Sequence, residues 1–548
     1  MSEGGRLRKR KSRPAGPDRG RTRIASILCV ILVASAGLLV VSGDASAGAY
    51  ARSVTLRVMT FNIFYGGDEL DLTSLNYCTR PEGCQETLAQ VVETIRTSGA
   101  DVVGIQEGVM NAGRIAERLG WYASERMQII SRHPLLDPPG GNGIYVFVEL
   151  LPGRVAALAN VHLPADPYGP YEAQAGATLE DILALEEGLR LPEVQDQIRV
   201  LPQLAAQGIP VFLTGDFNSP SHLDWTEAVA AARADVPYPV AWPVSVALAE
   251  AGFRDSFRDA HPDPLARPGF TWTPGSPEGI RSEVHDRIDW VLAAGTSSTM
   301  RSELVGESAH ADVDIAVDPW PSDHRGLVST FDVTPAAMPV LVSVSSRRLE
   351  VGDALDVRFH APGRSGERIG ILPAGGTAAS AVAFLPTGGA VDGTLSFDTT
   401  GLPPRAYEAA LLAKDGRVLA RIPFWLYAAG TPTTVTTSRT VYAQGEPIEV
   451  SWANAPGMKW DWLGLYEAGA NDGSPIATTC FSGYCGNGHY LLYEYTDASI
   501  EGTASFTASS APGYATWPLR PGVYEVRLLL DDGYRSVASS IPFKIVQG

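Results

Sequence analysis

Gly215-Asp216-Phe217-Asn218 follows the apolar run Ile209-Pro210-Val211-Phe212-Leu213-Thr214, placing a carboxylate and an amide two residues apart at the end of a β-rich stretch. Side chains alternate faces along a strand, so extended geometry points Asp216 and Asn218 the same way at its C-terminal tip. A carboxylate can orient a water or take its proton, and an amide donates a hydrogen bond. That pair suits phosphoester hydrolysis, where the nucleophile must be aligned and charge on the phosphoryl oxygens stabilised. An Asp and an Asn closing a strand are more often turn formers, so the weight comes from their company. Asn62 stands in Val58-Met59-Thr60-Phe61-Asn62-Ile63, Glu107 ends Val102-Val103-Gly104-Ile105-Gln106, and His162 ends the run Ala156 to Val161. Asp289 lies inside Arg287-Ile288-Asp289-Trp290-Val291-Leu292, and Asp323-His324 supplies a last carboxylate and imidazole. Each polar group ends or interrupts an apolar run, which predicts one shared rim at the tips of buried strands. Trp225 and Trp272 flank these segments and are candidates to stack on a base, sugar or head group, or else to pack the rim.

The ordered set resembles the endonuclease/exonuclease/phosphatase superfamily, which includes DNases, abasic-site endonucleases, inositol phosphatases and sphingomyelinases. The resemblance runs from about Val54 to Val333. It implies an α+β fold: a four-layer α/β sandwich of two packed, mostly antiparallel sheets flanked by helices. Carried over by motif, Glu107 is the main Mg²⁺ ligand (Mn²⁺ being the substitute), with Asn62 beside the metal and phosphate and Asp323 near the metal. Asp216 orients or activates the attacking water, and Asn218 contacts the phosphoryl oxygens. His324, held by Asp289, meets the phosphate or serves as base, while His162 takes the second imidazole position, a general acid in the DNase-like branch. Some nucleases carry a further Asp two residues after the Asn, where this chain has Phe64. The chemistry agrees with a hard cation, which prefers carboxylate and water oxygens and needs few protein ligands. No Cys/His spacing suits zinc, and neither a Gly-x-Ser-x-Gly nor a P-loop pattern is present.

At 548 residues the chain exceeds one ordinary core, and 45% apolar content with 11 Trp indicates folded domains. Nine basic residues between Arg6 and Arg23 precede the apolar stretch Ile24 to Val41, and Ala45-Ser46-Ala47 offers a small-residue cleavage site. This reads as a signal peptide over 1–47, with an uncleaved membrane anchor as the alternative. Residues 1–47 hold nine basic and three acidic side chains, so their removal takes the formal charge from −18 to −24. An acidic protein is steered away from polyanions, which counts against tight duplex nucleic-acid binding without excluding a nuclease. The pairs Cys78/Cys84 and Cys480/Cys485 read as local disulfides outside the cell.

From about Pro335 helical periodicity gives way to short alternating strands with Gly and Pro turns, and the pattern repeats. Ala361-Pro362-Gly363, Ile369-Gly370-Ile371 and Ile422-Pro423-Phe424 recur as Ala455-Pro456-Gly457, Leu463-Gly464-Leu465 and Ile541-Pro542-Phe543. Two all-β sandwich domains follow, giving a catalytic domain over 48–334 and sandwiches over 335–428 and 429–548. The second unit is similar to the immunoglobulin-like, SKICH-like modules that accompany some phosphoesterases, through Ala455-Pro456-Gly457 and Asp461-Trp462-Leu463-Gly464-Leu465-Tyr466. The tail is expected to fold apart from the catalytic domain and to present a cell-surface or polymeric ligand. It should be dispensable for a small soluble ester. The expected function is thus that of a secreted divalent-metal-dependent phosphoesterase, cleaving a phosphomonoester or phosphodiester by water attack. An extracellular nuclease is the alternative within catalysis, and a non-catalytic adhesion protein the alternative outside it.

Overall fold

A computed structural model describes residues 52–548 apart from 75, 81, 275–282 and 471–486. Residues 1–47, read above as a signal peptide, and the Cys480/Cys485 pair lie outside the described residues. Cys78 and Cys84 are joined by a disulfide.

Two seven-stranded sheets form the catalytic half. The strand Val54–Asn62 runs at the centre of the first, antiparallel to Gly326–Val333 and parallel to Val102–Gln106. In the second, Val211–Asp216 runs parallel to Arg154–His162 and antiparallel to Asp289–Ala294.

Strand alternation decides which residues meet. Leu56 and Val58, Val102, Leu158, Phe212 and Val291 point between the sheets and form one apolar cluster. Their neighbours Met59, Phe61, Val103 and Ile105 point outward and bury the helix Gln85–Ser98 through Leu88, Val91, Val92 and Ile95. The apolar spacing of i, i+3, i+4 and i+7 gives that helix a single buried face. It stops at Gly99, whose φ of +67° suits glycine. On the far side Val211, Leu213 and Trp290 cover the helices Gln195–Ala206 and Pro243–Glu250. The result is helix, sheet, sheet, helix. Removing an inter-sheet ring such as Phe212 should cost about 3–5 kcal/mol.

The inter-sheet row changes chemistry toward the strand tips. Above the apolar cluster, Gln106 Nε2 donates to Asn160 Oδ1 at 2.7 Å, and Thr214 Oγ1 donates to the same oxygen at 3.0 Å. Asn160 Nδ2 in turn donates to the Ile105 carbonyl at 2.7 Å. Gly104 permits this approach, because a Cβ there would overlap Thr214 Oγ1 and Asn160 Oδ1. This buried, mutually satisfied layer is a rigid floor for the residues that follow at the strand tips.

The tail forms two sandwiches with one plan. Each has a three-stranded sheet facing a larger one, and the larger sheets share their strand order. Arg368–Pro373 occupies in the first the place that Trp462–Glu467 occupies in the second. Side chains such as Ile369, Ile371, Tyr407 and Phe424 fill the first core. Leu463, Leu465, Tyr524 and Phe543 fill the second.

Candidate active site

Two residues beyond the polar floor, on the same face, Asp216 follows Thr214 and His162 follows Asn160. Asp216 pairs with His162 on one neighbouring strand and with Asp289 on the other, so all three stand on one rung. Across the gap, Asn62 is paired with Gln106, and Glu107 follows at the strand end with φ +54°.

Asn62 Nδ2 donates to Glu107 Oε1 and to Asp216 Oδ2, both at 3.1 Å, and ties the two sheets together at the rim. The second Glu107 oxygen accepts the Tyr65 N–H at 2.9 Å. Asp216 Oδ1 accepts the Asn218 N–H at 2.9 Å. Asn218, at φ +46°, donates from Nδ2 to the Leu163 carbonyl at 2.9 Å.

Asp216 sits between two imidazoles. His324 Nε2 lies 3.6 Å from its Oδ2, and His162 Nε2 lies 3.7 Å from the same atom. Each ring has its own second carboxylate. His324 Nδ1 donates to Asp289 Oδ2 at 2.9 Å, and His162 Nδ1 donates to Asp532 Oδ2 at 2.8 Å. Carboxylates only accept, so in both rings Nδ1 carries the proton.

Burial opposes charge on His162, but the Asp532 charge and hydrogen bond outweigh it, with Asp216 and Glu107 adding, and its pKa is pushed up to about 10. Burial likewise opposes charge on His324, and Asp289 and Asp216 overcome it and hold that pKa high. Burial raises the Asp216 carboxyl, with Asp289 adding, while the two imidazoles pull it back. Burial also raises Asp532 against the pull of His162. The upward shift of His162 is the direction the geometry supports, because two carboxylates flank that one ring.

Asp532 comes from the second sandwich, 370 residues away. Its turn is held firmly: Asp531 accepts the Met110 N–H at 2.8 Å and Gln128 Nε2 at 2.7 Å. Asp461 Oδ1 accepts the Asp531 N–H at 3.1 Å, and Arg126 reaches the carbonyls of Gly457 and Ala498 at 3.0 and 2.8 Å. Lys459 Nζ donates to the Asn160 carbonyl beneath the rim. The expectation of a tail apart from the site therefore fails for the second sandwich, which closes one side of a cavity of about 400 Å³. The loop after His162 closes another side through Pro164, Ala165 and Asp166. It is clamped by buried Arg190, whose guanidinium donates to the Pro164, Ala165 and Pro167 carbonyls.

Residues 59–324 match the model of the Endonuclease/Exonuclease/phosphatase family. An uncharacterized protein of Caenorhabditis elegans is 31% identical over 272 residues, covering 45% of this chain and 81% of that relative. The chain belongs to the endonuclease/exonuclease/phosphatase family. Solved structures similar to it include an endonuclease/exonuclease/phosphatase from Beutenbergia cavernae, 19% identical, covering 68% of this chain and all of that one at a TM-score of 0.32. Another is a mannosyl-6-phosphatase from Bacteroides thetaiotaomicron, 14% identical, covering 50% of this chain and 99% of that one at a TM-score of 0.29.

Endonuclease/exonuclease/phosphatase family members are hydrolases acting on phosphoesters and generally use a divalent metal. The residues here fit such an ion. Glu107 and Asp323 both face the cavity, and buried Asp323 Oδ1 has no hydrogen-bond partner. Burial pushes the Asp323 carboxyl up to about 7; His324 pulls it down, and the charges of Glu107 and Asp216 add to the rise. A hard cation would offset those charges and use the orphaned oxygen. Asp216, Asp289 and His324 also bring ligand-type atoms within 4.8 Å of one another. The hydrogen bond between His324 and Asp289 already occupies that set, which leaves Glu107 and Asp323 as the better hold.

The structure brings His162, Asp216, Asn218, Asp289, His324, Glu107 and Asp323 together around one cavity, and two assignments need correction. Asn62 does not face the cavity as a metal ligand. It is fully buried, its Nδ2 spent on Glu107 and Asp216 while its Oδ1 accepts the Phe64 N–H. Trp225 is not at the rim. It packs edge-on to Trp242 in a separate core and donates to Asp286 at 2.7 Å. Trp272 does line the cavity, its ring 4.9 Å from that of His324.

Asp532 escaped the sequence reading because Leu530-Asp531-Asp532-Gly533 reads as a hairpin turn. The internal repeat carried the missing signal. The first sandwich has Ala413-Lys414-Asp415-Gly416 at the same turn, with Lys414 and Asp415 exposed.

Proposed function

We propose that this protein is a secreted phosphoesterase that uses Mg²⁺, or Mn²⁺, to hydrolyse a phosphomonoester or phosphodiester by water attack. The observation that carries this reading is Asp216 standing between two carboxylate-backed imidazoles, opposite the Glu107 and Asp323 pair. When bound by Glu107 and Asp323, the cation polarises a phosphoryl oxygen and offsets its charge.

The chain's own groups divide the remaining work. Asp216 orients the water and takes its proton as the water oxygen bonds to phosphorus. His324, fixed by Asp289, and the Asn218 amide hold the developing negative charge. As the bond from phosphorus to the leaving oxygen breaks, protonated His162 gives that oxygen its Nε2 proton. Trp272 keeps water from the flank of His324. A nucleic-acid substrate is less favoured, because no Lys or Arg among the described residues lines the cavity. Secretion rests on the basic, apolar and Ala-x-Ala sequence of residues 1–47. The first sandwich, which lends the cavity no described residue, is free to meet a cell-surface or polymeric ligand.

The test is hydrolysis of bis-p-nitrophenyl phosphate by the full chain with Mg²⁺ and with EDTA, alongside Glu107→Gln. Chelation should abolish turnover, and the variant should need far more metal and turn over far more slowly. Full activity of Glu107→Gln in EDTA would refute the assignment.

A further inference from the structure

The cavity has two unlike walls. One carries the rim carboxylates and imidazoles, and the other is the outer face of the second sandwich, presenting Trp462, Tyr490, Tyr493, Tyr495 and Tyr534. Trp462 meets Tyr490 edge-on at 5.0 Å and Tyr534 at 5.8 Å, and Tyr490 meets Tyr493 at 5.5 Å. The face is anchored as well as mutually packed, because Trp462 Nε1 donates to the Gly533 carbonyl at 3.0 Å. Gly464 makes room for it: a Cβ there would come within 2.8 Å of the Trp462 ring and 2.6 Å of the Tyr466 ring.

A sandwich of this plan does not require such a face. At the matching positions the first sandwich has Arg368 for Trp462, Phe384 for Tyr493, Pro386 for Tyr495 and Arg417 for Tyr534. Its core is complete without them. At two of these positions the second sandwich has rings where the first has arginines, on the surface that turns toward the catalytic rim. Tyr490, Tyr493 and Tyr534 remain half-buried, with ring surface open to the cavity.

Building on the phosphoester reading, we propose that this wall is the subsite for the leaving group and that it takes an uncharged ring, either an aromatic ring or the flat face of a sugar. Rings bind rings and the C–H faces of sugars by stacking, which tolerates many substituents. Glu107, Asp166, Asp216, Asp323 and Asp532 line the same cavity, and no Lys or Arg among the described residues does. The two imidazoles that also line it are already paired, His162 with Asp532 and His324 with Asp289, so an anionic leaving group would find no free cation among the described residues of this wall. The position is also chemically apt, because Asp532 on this wall holds His162, the proton donor to the leaving oxygen.

The test uses the full chain and two readouts. The first is kcat/KM for benzyl methyl phosphate, 4-carboxybenzyl methyl phosphate and propyl methyl phosphate, whose leaving alcohols are of similar acidity. The second is binding of benzylphosphonate, glucosylmethylphosphonate and propylphosphonate, followed by Trp fluorescence, which needs no turnover. One uncharged ring should exceed propyl by about 10-fold in each readout, from one stacking contact. The better phosphonate names the ring type, and the carboxylate should erase the gain. In Tyr490→Leu/Tyr493→Leu, which keeps apolar bulk, the ring-over-propyl ratio should fall toward one, while Phe384→Leu on the first sandwich should leave the ratio as it was. Equal binding of all three phosphonates, or a preference that survives the double substitution, overturns the subsite. Ring-selective binding with no ester hydrolysed would leave the subsite standing and refute the phosphoester reading instead.

Discussion

Asp532→Asn replaces a carboxylate with an amide of the same shape, whose oxygen can still accept the His162 Nδ1–H, so geometry is kept and one charge is lost. That charge sits on an oxygen 2.8 Å from the ring nitrogen. With charge centres about 4 Å apart and an effective dielectric of about 20, the interaction is about 4 kcal/mol. At 1.36 kcal/mol per unit this is about 3 pKa units, so His162 should fall from about 10 to about 7. His162 must be protonated to serve the leaving oxygen, so activity is lost as pH rises through its pKa, and the alkaline limb should move down by about 3 units. At pH 8.5 about 3% of the variant's His162 is protonated. Hydrolysis of an alkyl methyl phosphate should then be about 30-fold slower. A nitrophenyl ester, whose leaving group needs no proton, should barely change. The same shift has a thermodynamic face. A folded-state pKa above the unfolded one stabilises the fold fully below about pH 6.5. That contribution fades as pH rises toward 10, and the variant should lack it. The assay is a pH profile of kcat/KM for both esters at saturating metal. An unmoved alkaline limb, or equal losses on the two esters, would refute the pairing of Asp532 with the proton donor.

Asn218→Gly keeps the φ of +46° free of strain while deleting the amide, and kcat should drop about 10²–10³-fold with little change in melting temperature. Asp289→Asn should slow turnover by misorienting His324. Its combination with His324→Ala should be scarcely slower than His324→Ala alone, a non-additivity that steady-state kinetics will read directly. Asp461 lies buried at the sandwich interface, its carboxyl pushed up to about 8 by burial and then by Asp531. The folded state therefore holds a proton that the unfolded chain releases near pH 4. Thermal stability should decline between about pH 4 and 8, and Asp461→Asn should flatten that decline in a calorimetric pH series.

The rim was legible where strand alternation alone placed it. Asp216, His162 and Asp289 each close or open an apolar run, and pairing rules put them on one rung. The tail's repeat was legible through its recurring turn tripeptides and matches in strand order. What sequence could not convey was direction across long separations. Trp225 and Trp272 both sit near strand ends, yet one donates to Asp286 inside a core and the other faces His324. Nothing local distinguishes them, since burial is decided by helices and loops far along the chain. Asn62 was placed beside the metal and phosphate by its motif alone, and only the side-chain geometry shows its amide spent between two carboxylates. Asp532 is the extreme case, a turn residue whose role depends on how the second sandwich docks.

That docking couples catalysis to the order of synthesis. When a ribosome has placed His324, it must still add 210 residues to reach Tyr534. At 5–20 residues per second that interval is about 10–40 s. During it the nascent catalytic sheets can assemble and the Glu107 and Asp323 pair can form. His162, though, lacks the carboxylate that keeps it charged, and one wall of the cavity is missing. On the proposed mechanism the unfinished chain is a poor hydrolase by construction, and the complete site arrives only with a segment translated long after the family motifs.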